Sequence, residues 1–122
     1  MAVALGDGSL GCYALGNLAC DNATGKKQAI ELGGIELLLA AIARHVDSAG
    51  VCEKACWALF NIVYDSNENT RLLISLGGGA AVAKVRTKWP DNTRVQTQVR
   101  RLNILIVLPY MNAWFHSEST NA

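Results

Sequence analysis

The sequence repeats itself with a period of 44 residues. Cys12-Tyr13-Ala14-Leu15-Gly16-Asn17-Leu18-Ala19-Cys20-Asp21 lines up with Cys56-Trp57-Ala58-Leu59-Phe60-Asn61-Ile62-Val63-Tyr64-Asp65. Further on, Ile30 meets Ile74, Leu32 meets Leu76, and Gly33-Gly34 meets Gly77-Gly78, with no gap. A period of about 40–47 residues with helical patterning inside it is the signature of an α-solenoid, whose units bury their apolar faces only against each other.

Three helical pieces fit within each period. The first is short, at 24–32 and again at 69–76, and stops at a glycine pair that supplies the left-handed residue closing a helix. The second covers 35–44 and 79–88, with Leu37, Leu38, Ala41 and Ile42 as its apolar stripe. The third and longest covers 50–64, with a further copy at 93–108 opened by the turn signal Pro90-Asp91-Asn92. The stretch up to Cys20 reads as a third piece without its first two. The expected layout is an all-α solenoid of three-helix units. It has an incomplete unit at 1–20, full units at 21–64 and 65–108, and a non-repeat, fraying tail at 109–122.

Composition excludes several classes. Half the residues are hydrophobic (51%) and only 17% are charged, so the chain is expected to fold rather than stay disordered. A net charge of +1 argues against direct nucleic-acid binding driven by bulk charge. The longest apolar run, Leu102 to Met111, contains Asn103 and Pro109 and is about half of what a membrane-spanning helix needs. Met1-Ala2-Val3-Ala4-Leu5 lacks the basic start of a secretion signal, so a cytoplasmic or nuclear setting is expected.

Cys12, Cys20, Cys52 and Cys56 admit four readings: two disulfides, a zinc site, a redox role, or apolar fillers between helices. Only Cys52 and Cys56 are close in sequence, and a reducing compartment disfavours disulfides, so filler is favoured. His45 and His116 fall in a loop and the tail, away from any nucleophile. No enzyme activity, cofactor or metal is therefore expected. Gly77-Gly78-Gly79 is not a phosphate loop, since no strand precedes it and no Lys-Ser/Thr follows. Asn22-Ala23-Thr24 matches a glycosylation sequon but is expected to turn the chain and cap a helix.

Cys56-Trp57-Ala58-Leu59-x-Asn61-Ile62, followed by a short helix and Gly77-Gly78, resembles the armadillo repeat. So does Tyr13-Ala14-Leu15-Gly16-Asn17-Leu18-Ala19 followed by Lys27-Gln28-Ala29-Ile30-Glu31-Leu32-Gly33-Gly34-Ile35. The resemblance covers roughly residues 10 to 108. It implies a right-handed superhelix whose third helices line a concave, peptide-binding groove. Within that family, Trp-x-x-x-Asn-x-x-x-Asp looks most like nuclear-import adaptors of the importin-α type. Trp57, Asn61 and Asp65 fit it, and Tyr13, Asn17 and Asp21 fit it with Tyr replacing Trp.

The residues point the same way by themselves. At about 100° per residue, Val51, Ala55, Ala58, Leu59 and Ile62 form a core stripe, and Trp57, Asn61 and Asp65 form a second stripe beside it. An Asn amide pairs with both the C=O and the N–H of an extended backbone, so one Asn per repeat makes a sequence-blind ladder. Trp57 offers a flat face to a Lys or Arg stem, and Asp21 or Asp65 a partner for its charge. Tyr13, Asn17, Asp21, Trp57, Asn61 and Asp65 are thus the candidate peptide-binding residues, for an extended and preferably basic ligand. The alternative is a scaffold for a folded or helical partner, with Trp57 and Asn61 only tying helices together and no part in nuclear import. In the last copy Arg101 and Leu105 replace Trp and Asn, with Arg94 and Arg100 nearby, so any basic-peptide site stops before that helix. Two full copies are few for a solenoid, so the sequence is expected either to be a fragment of a longer solenoid or to self-associate through exposed repeat ends.

Overall fold

The computed structural model describes residues 8–121, with side chains for residues 8–109. The chain runs through α1 (Ser9–Ala19), α2 (Ala23–Glu31), α3 (Gly34–Arg44), α4 (Ala49–Val63), α5 (Asn67–Ser75), α6 (Gly78–Lys88) and α7 (Thr93–Asn121). There is no strand among the described residues. The long third helices α1, α4 and α7 pack side by side with α4 in the middle, and α3 packs on α4 and α6. This is an all-α solenoid: α2–α4 and α5–α7 are successive units, and α1 is a third helix preceding them.

The helix boundaries recur because their capping chemistry recurs. Asn22 Oδ1 accepts from Gly25 N–H at 3.0 Å and Ser66 Oγ from Asn69 N–H at 3.2 Å, opening α2 and α5. Ser48 Oγ accepts from Val51 N–H at 3.3 Å and Asn92 Oδ1 from Val95 N–H at 3.1 Å, opening α4 and α7. Each pair is one period apart, and each cap stabilises its helix by about 1 kcal/mol. Gly33 and Gly77, at φ 73° and 91°, supply the left-handed residue between the first and second helices of each unit.

The core follows the third helices. Val51, Ala55, Ala58, Leu59 and Ile62 are all fully buried, joined by Cys52, Cys56 and Val63. Burying each large aliphatic side chain stabilises by about 1.5–3 kcal/mol. Two expectations need correction. In α3 the buried stripe is Ile35, Leu38 and Ile42, and Leu37 is 57% exposed. Ile35 takes the inward place, and Leu37, about 200° further round the helix, turns to solvent. Cys12, Cys52 and Cys56 are buried fillers, but Cys20 is exposed at the cap of α1, where the chain turns away from its neighbours.

The third helices end on one device, and its failure explains a third difference. Asp21 and Asp65 lie just past α1 and α4 with φ of 49° and 59°, a left-handed conformation that Asp tolerates. They therefore sit in turns, off the helical stripe assigned to them. One period on stands Pro109, whose ring holds φ near −65°. That turn cannot form, and α7 runs on through Pro109 to Asn121 instead of fraying. Without an N–H at Pro109, the Leu105 carbonyl loses its usual helical donor.

Candidate functional site

The candidate residues form a row across α1 and α4. Tyr13 and Asn17 are exposed on α1, and Trp57 and Asn61 are half-buried on α4. Gly16 is what brings the two helices into register. A Cβ there would lie 2.6 Å from Trp57 Cε3 and 2.8 Å from Cη2, so the indole rests on bare backbone. The same indole stacks on Tyr13, with ring centroids 5.6 Å apart and planes at 22°. Asn61 Nδ2 donates to the Gly16 carbonyl at 3.1 Å. Asn61 thus fastens α4 to α1 and keeps its carbonyl oxygen and one N–H for other partners.

The aromatic faces nearby are already occupied by the chain's own cations. Lys54 Nζ lies 5.9 Å from the Tyr13 centroid, Lys26 Nζ 5.5 Å from that of Tyr64, and the Arg101 guanidinium 4.2 Å from that of Phe60. Lys26 also donates to the Tyr64 carbonyl. Each such contact is worth about 0.5–1 kcal/mol where exposed. Phe60 packs on Tyr64 at 5.2 Å, joining these groups into one band. Arg101 on Phe60 is the contact of Trp57 on Gly16 moved on by one repeat, with the partners' chemistry changed. Leu105, in the place of Asn61, is half-buried against the core, so the Asn row is confined to α1 and α4.

An open groove of about 790 Å³ lies between α2 and the start of α5, past the ends of α1 and α4. Its lining includes the carboxylates of Asp21, Glu31, Asp65 and Glu68, against Lys26 and Lys27. The groove therefore carries an acidic surplus despite the near-neutral chain. Asp21 and Asp65 were legible from the repeat. Glu31, Glu68 and the covering cations were not, because they come from the first helices or from positions where the two copies differ. Comparing the copies position by position brings out Gly16 against Phe60 and Lys26 against Thr70.

Cys52 and Cys56 are not activated thiols. Burial pushes the Cys56 thiol up to about 12 and also raises Cys52, the reverse of what an activated thiolate needs. Among the described residues no three His, Cys, Asp or Glu side chains are placed to hold a metal ion. His45 ends α3, and His116 lies outside the residues with described side chains. Away from the row, Lys88 Nζ meets Asp47 Oδ1 at 2.8 Å, holding the carboxylate's pKa down and the ammonium's up. No helix among the described residues is long and apolar enough to cross a membrane.

Residues 22–64, the span of α2 to α4, match the family model of the Armadillo/beta-catenin-like repeat. The match is to the repeat in general and does not single out import adaptors. No curated protein and no solved structure matches the chain. With α5–α7 repeating the layout of the matched unit, the architecture is an armadillo-type solenoid. Repeats of this type mediate protein–protein interaction.

Proposed function

We propose that this interaction module holds an extended, basic peptide of nuclear-localisation type across α1 and α4. The observation that carries it is the acidic groove of Asp21, Glu31, Asp65 and Glu68, entered at Asp21 and Asp65, four residues along the chain from Asn17 and Asn61. The peptide backbone pairs with the Asn17 amide and with the groups of Asn61 left over from its bond to Gly16. Ligand Lys or Arg side chains turn into the groove, since Lys54 and Arg101 already cover Tyr13 and Phe60 and repel further positive charge.

Fluorescence anisotropy with a labelled Lys-rich peptide tests this. Asp21→Asn/Asp65→Asn removes two charges while leaving residues that tolerate the left-handed backbone there. At about 0.2–1 kcal/mol per exposed pair, the double variant should bind roughly 2- to 30-fold more weakly. Equal affinity of both proteins would refute the groove assignment.

A second reading is favoured by the Asn61–Gly16 bond: a scaffold for a folded or helical partner, with the row purely structural and no role in nuclear import. Under it, Asn61→Ala loses about 1 kcal/mol of stability, and neither protein binds peptide.

A further inference from the structure

Lys26 and its counterpart one period on, Thr70, point to different partners. In the second unit the side chains at 69 and 70 turn back on their own repeat. Asn69 Nδ2 donates to the Ile62 carbonyl at 2.9 Å, and the buried Thr70 hydroxyl lies 3.0 Å and 3.3 Å from the carbonyls of Ser66 and Val63. In the first unit Gly25 and Lys26 stand at those places. A Cβ at Gly25 would lie 1.7 Å from the Leu18 carbonyl oxygen, so no side chain fits there. Lys26, half-buried, leaves its own repeat for the next: its ammonium donates to the Tyr64 carbonyl and stands 5.5 Å from the centroid of the Tyr64 ring.

Tyr64 suits a cation in two ways. It caps the C-terminal end of α4, where the carbonyls carry partial negative charge. Its ring adds a face that attracts an ammonium or a guanidinium. The rings of Tyr13 and Phe60 are covered too, but Tyr64 lines the groove that holds Asp21, Glu31, Asp65 and Glu68. Among the described residues the one ion pair is Lys88 with Asp47, so none of those four carboxylates is paired with Lys26. A cation entering from outside can use the carbonyl, the ring and a carboxylate together, whereas Lys26 uses the first two.

On the reading of this groove as a basic-peptide site, on which the inference rests, we propose that the Tyr64 carbonyl and ring seat one Lys or Arg side chain of the ligand. Lys26 occupies that seat in the free protein as a built-in competitor, and the ligand displaces it. Two ammonium groups on one carbonyl and one ring face repel each other, so ligand and Lys26 exclude one another. Lys26 thereby selects ligands: a peptide with a lone cation gains little by the exchange, while one with neighbouring cations also reaches the free carboxylates.

Fluorescence anisotropy with a labelled Lys-rich peptide tests this on the wild type, Lys26→Gln and Lys27→Gln. Both variants remove one positive charge from the groove lining, but Lys27 makes no contact with Tyr64. Lys26→Gln should bind roughly 3- to 10-fold more tightly, the factor expected if the seat is vacant a tenth to a third of the time in the wild type. Lys27→Gln should gain less than about 2-fold, as for an exposed charge. A second measurement needs no variant. Under trace acetylation followed by mass spectrometry, Lys26 of the free wild type should react more slowly than Lys27. Saturation with an N-acetylated Arg-rich peptide, which has no amine of its own, should speed the reaction of Lys26. Equal gains in the two variants, or no gain in Lys26→Gln, would overturn the proposal while leaving the groove in place. So would a Lys26 that is as reactive as Lys27 in the free protein, or one whose reactivity does not rise in the complex. If neither the wild type nor Lys26→Gln binds either peptide, the groove reading fails and this proposal with it.

Discussion

Gly16→Ala adds one methyl group at the junction of α1 and α4. The new Cβ would lie 2.6 Å from Trp57 Cε3 and 2.8 Å from Cη2, so the indole must move. Moving it disturbs the Tyr13 stack and the Asn61 bond to the Gly16 carbonyl. Overpacking of this kind costs about 1–3 kcal/mol and the hydrogen bond about 1 kcal/mol, offset by about 1 kcal/mol of helix propensity gained. The net is a loss of about 1–3 kcal/mol. Gly11→Ala is the control within the same helix: nothing lies within 4 Å of its Cβ, so only the gain remains and stability rises by about 0.5–1 kcal/mol. Urea unfolding followed by far-UV circular dichroism measures both, and the two variants should differ in sign. In a Trp57→Ala background the added methyl has room, and Gly16→Ala should become neutral or stabilising, the mark of direct coupling. If Gly16→Ala is as stable as Gly11→Ala, or if its cost survives in Trp57→Ala, the seat of Trp57 on α1 is refuted.

Other consequences can be checked separately. Asp65→Val, forced to φ 59°, should lose about 1–2 kcal/mol, whereas Asp65→Gly should stay within about 0.5 kcal/mol of the wild type by urea unfolding. In the native protein one thiol, Cys20, should react quickly with a maleimide while Cys12, Cys52 and Cys56 are protected; mass spectrometry of digests identifies the site. Because the folded Cys56 pKa is raised to about 12, the unfolded chain gives up that proton first as pH rises above the ordinary value of 9.0. Stability therefore falls between these limits by up to about 1.4 kcal/mol per pH unit for this thiol, and Cys56→Ala should shed that part of the alkaline loss in parallel melts.

The fold was legible because the sequence states it twice. The cap at Asn22, left-handed glycines at Gly33 and Gly77, and the stripe from Val51 to Ile62 are chemically explicit, and each has a structural counterpart. Less legible were features set by which neighbour a side chain meets. Leu37 and Ile35 are equally apolar, and only the packing of α3 on α4 and α6 decides which turns outward. Gly16 reads as a weak point in a helix until Trp57 is found resting on it. Helical spacing put Asp21 and Asp65 in line with Asn17 and Asn61, but their positive φ removes them from the helix. The carboxylates of Glu31 and Glu68 join the groove only because α2 and α5 are stacked, and a stack of neighbours has no trace in linear spacing.

The backbone at positions 21, 65 and 109 also makes the protein a starting point for construction. An array of this kind folds back after each long helix through a single left-handed residue, so one angle determines where a further 44-residue module can be joined. Asp permits the fold-back and proline forbids it. Replacing Pro109 with Asp or Gly, and splicing a copy of residues 66–108 directly after it, would turn α7 from a terminus into a connector. A designer could then lengthen the array one module at a time.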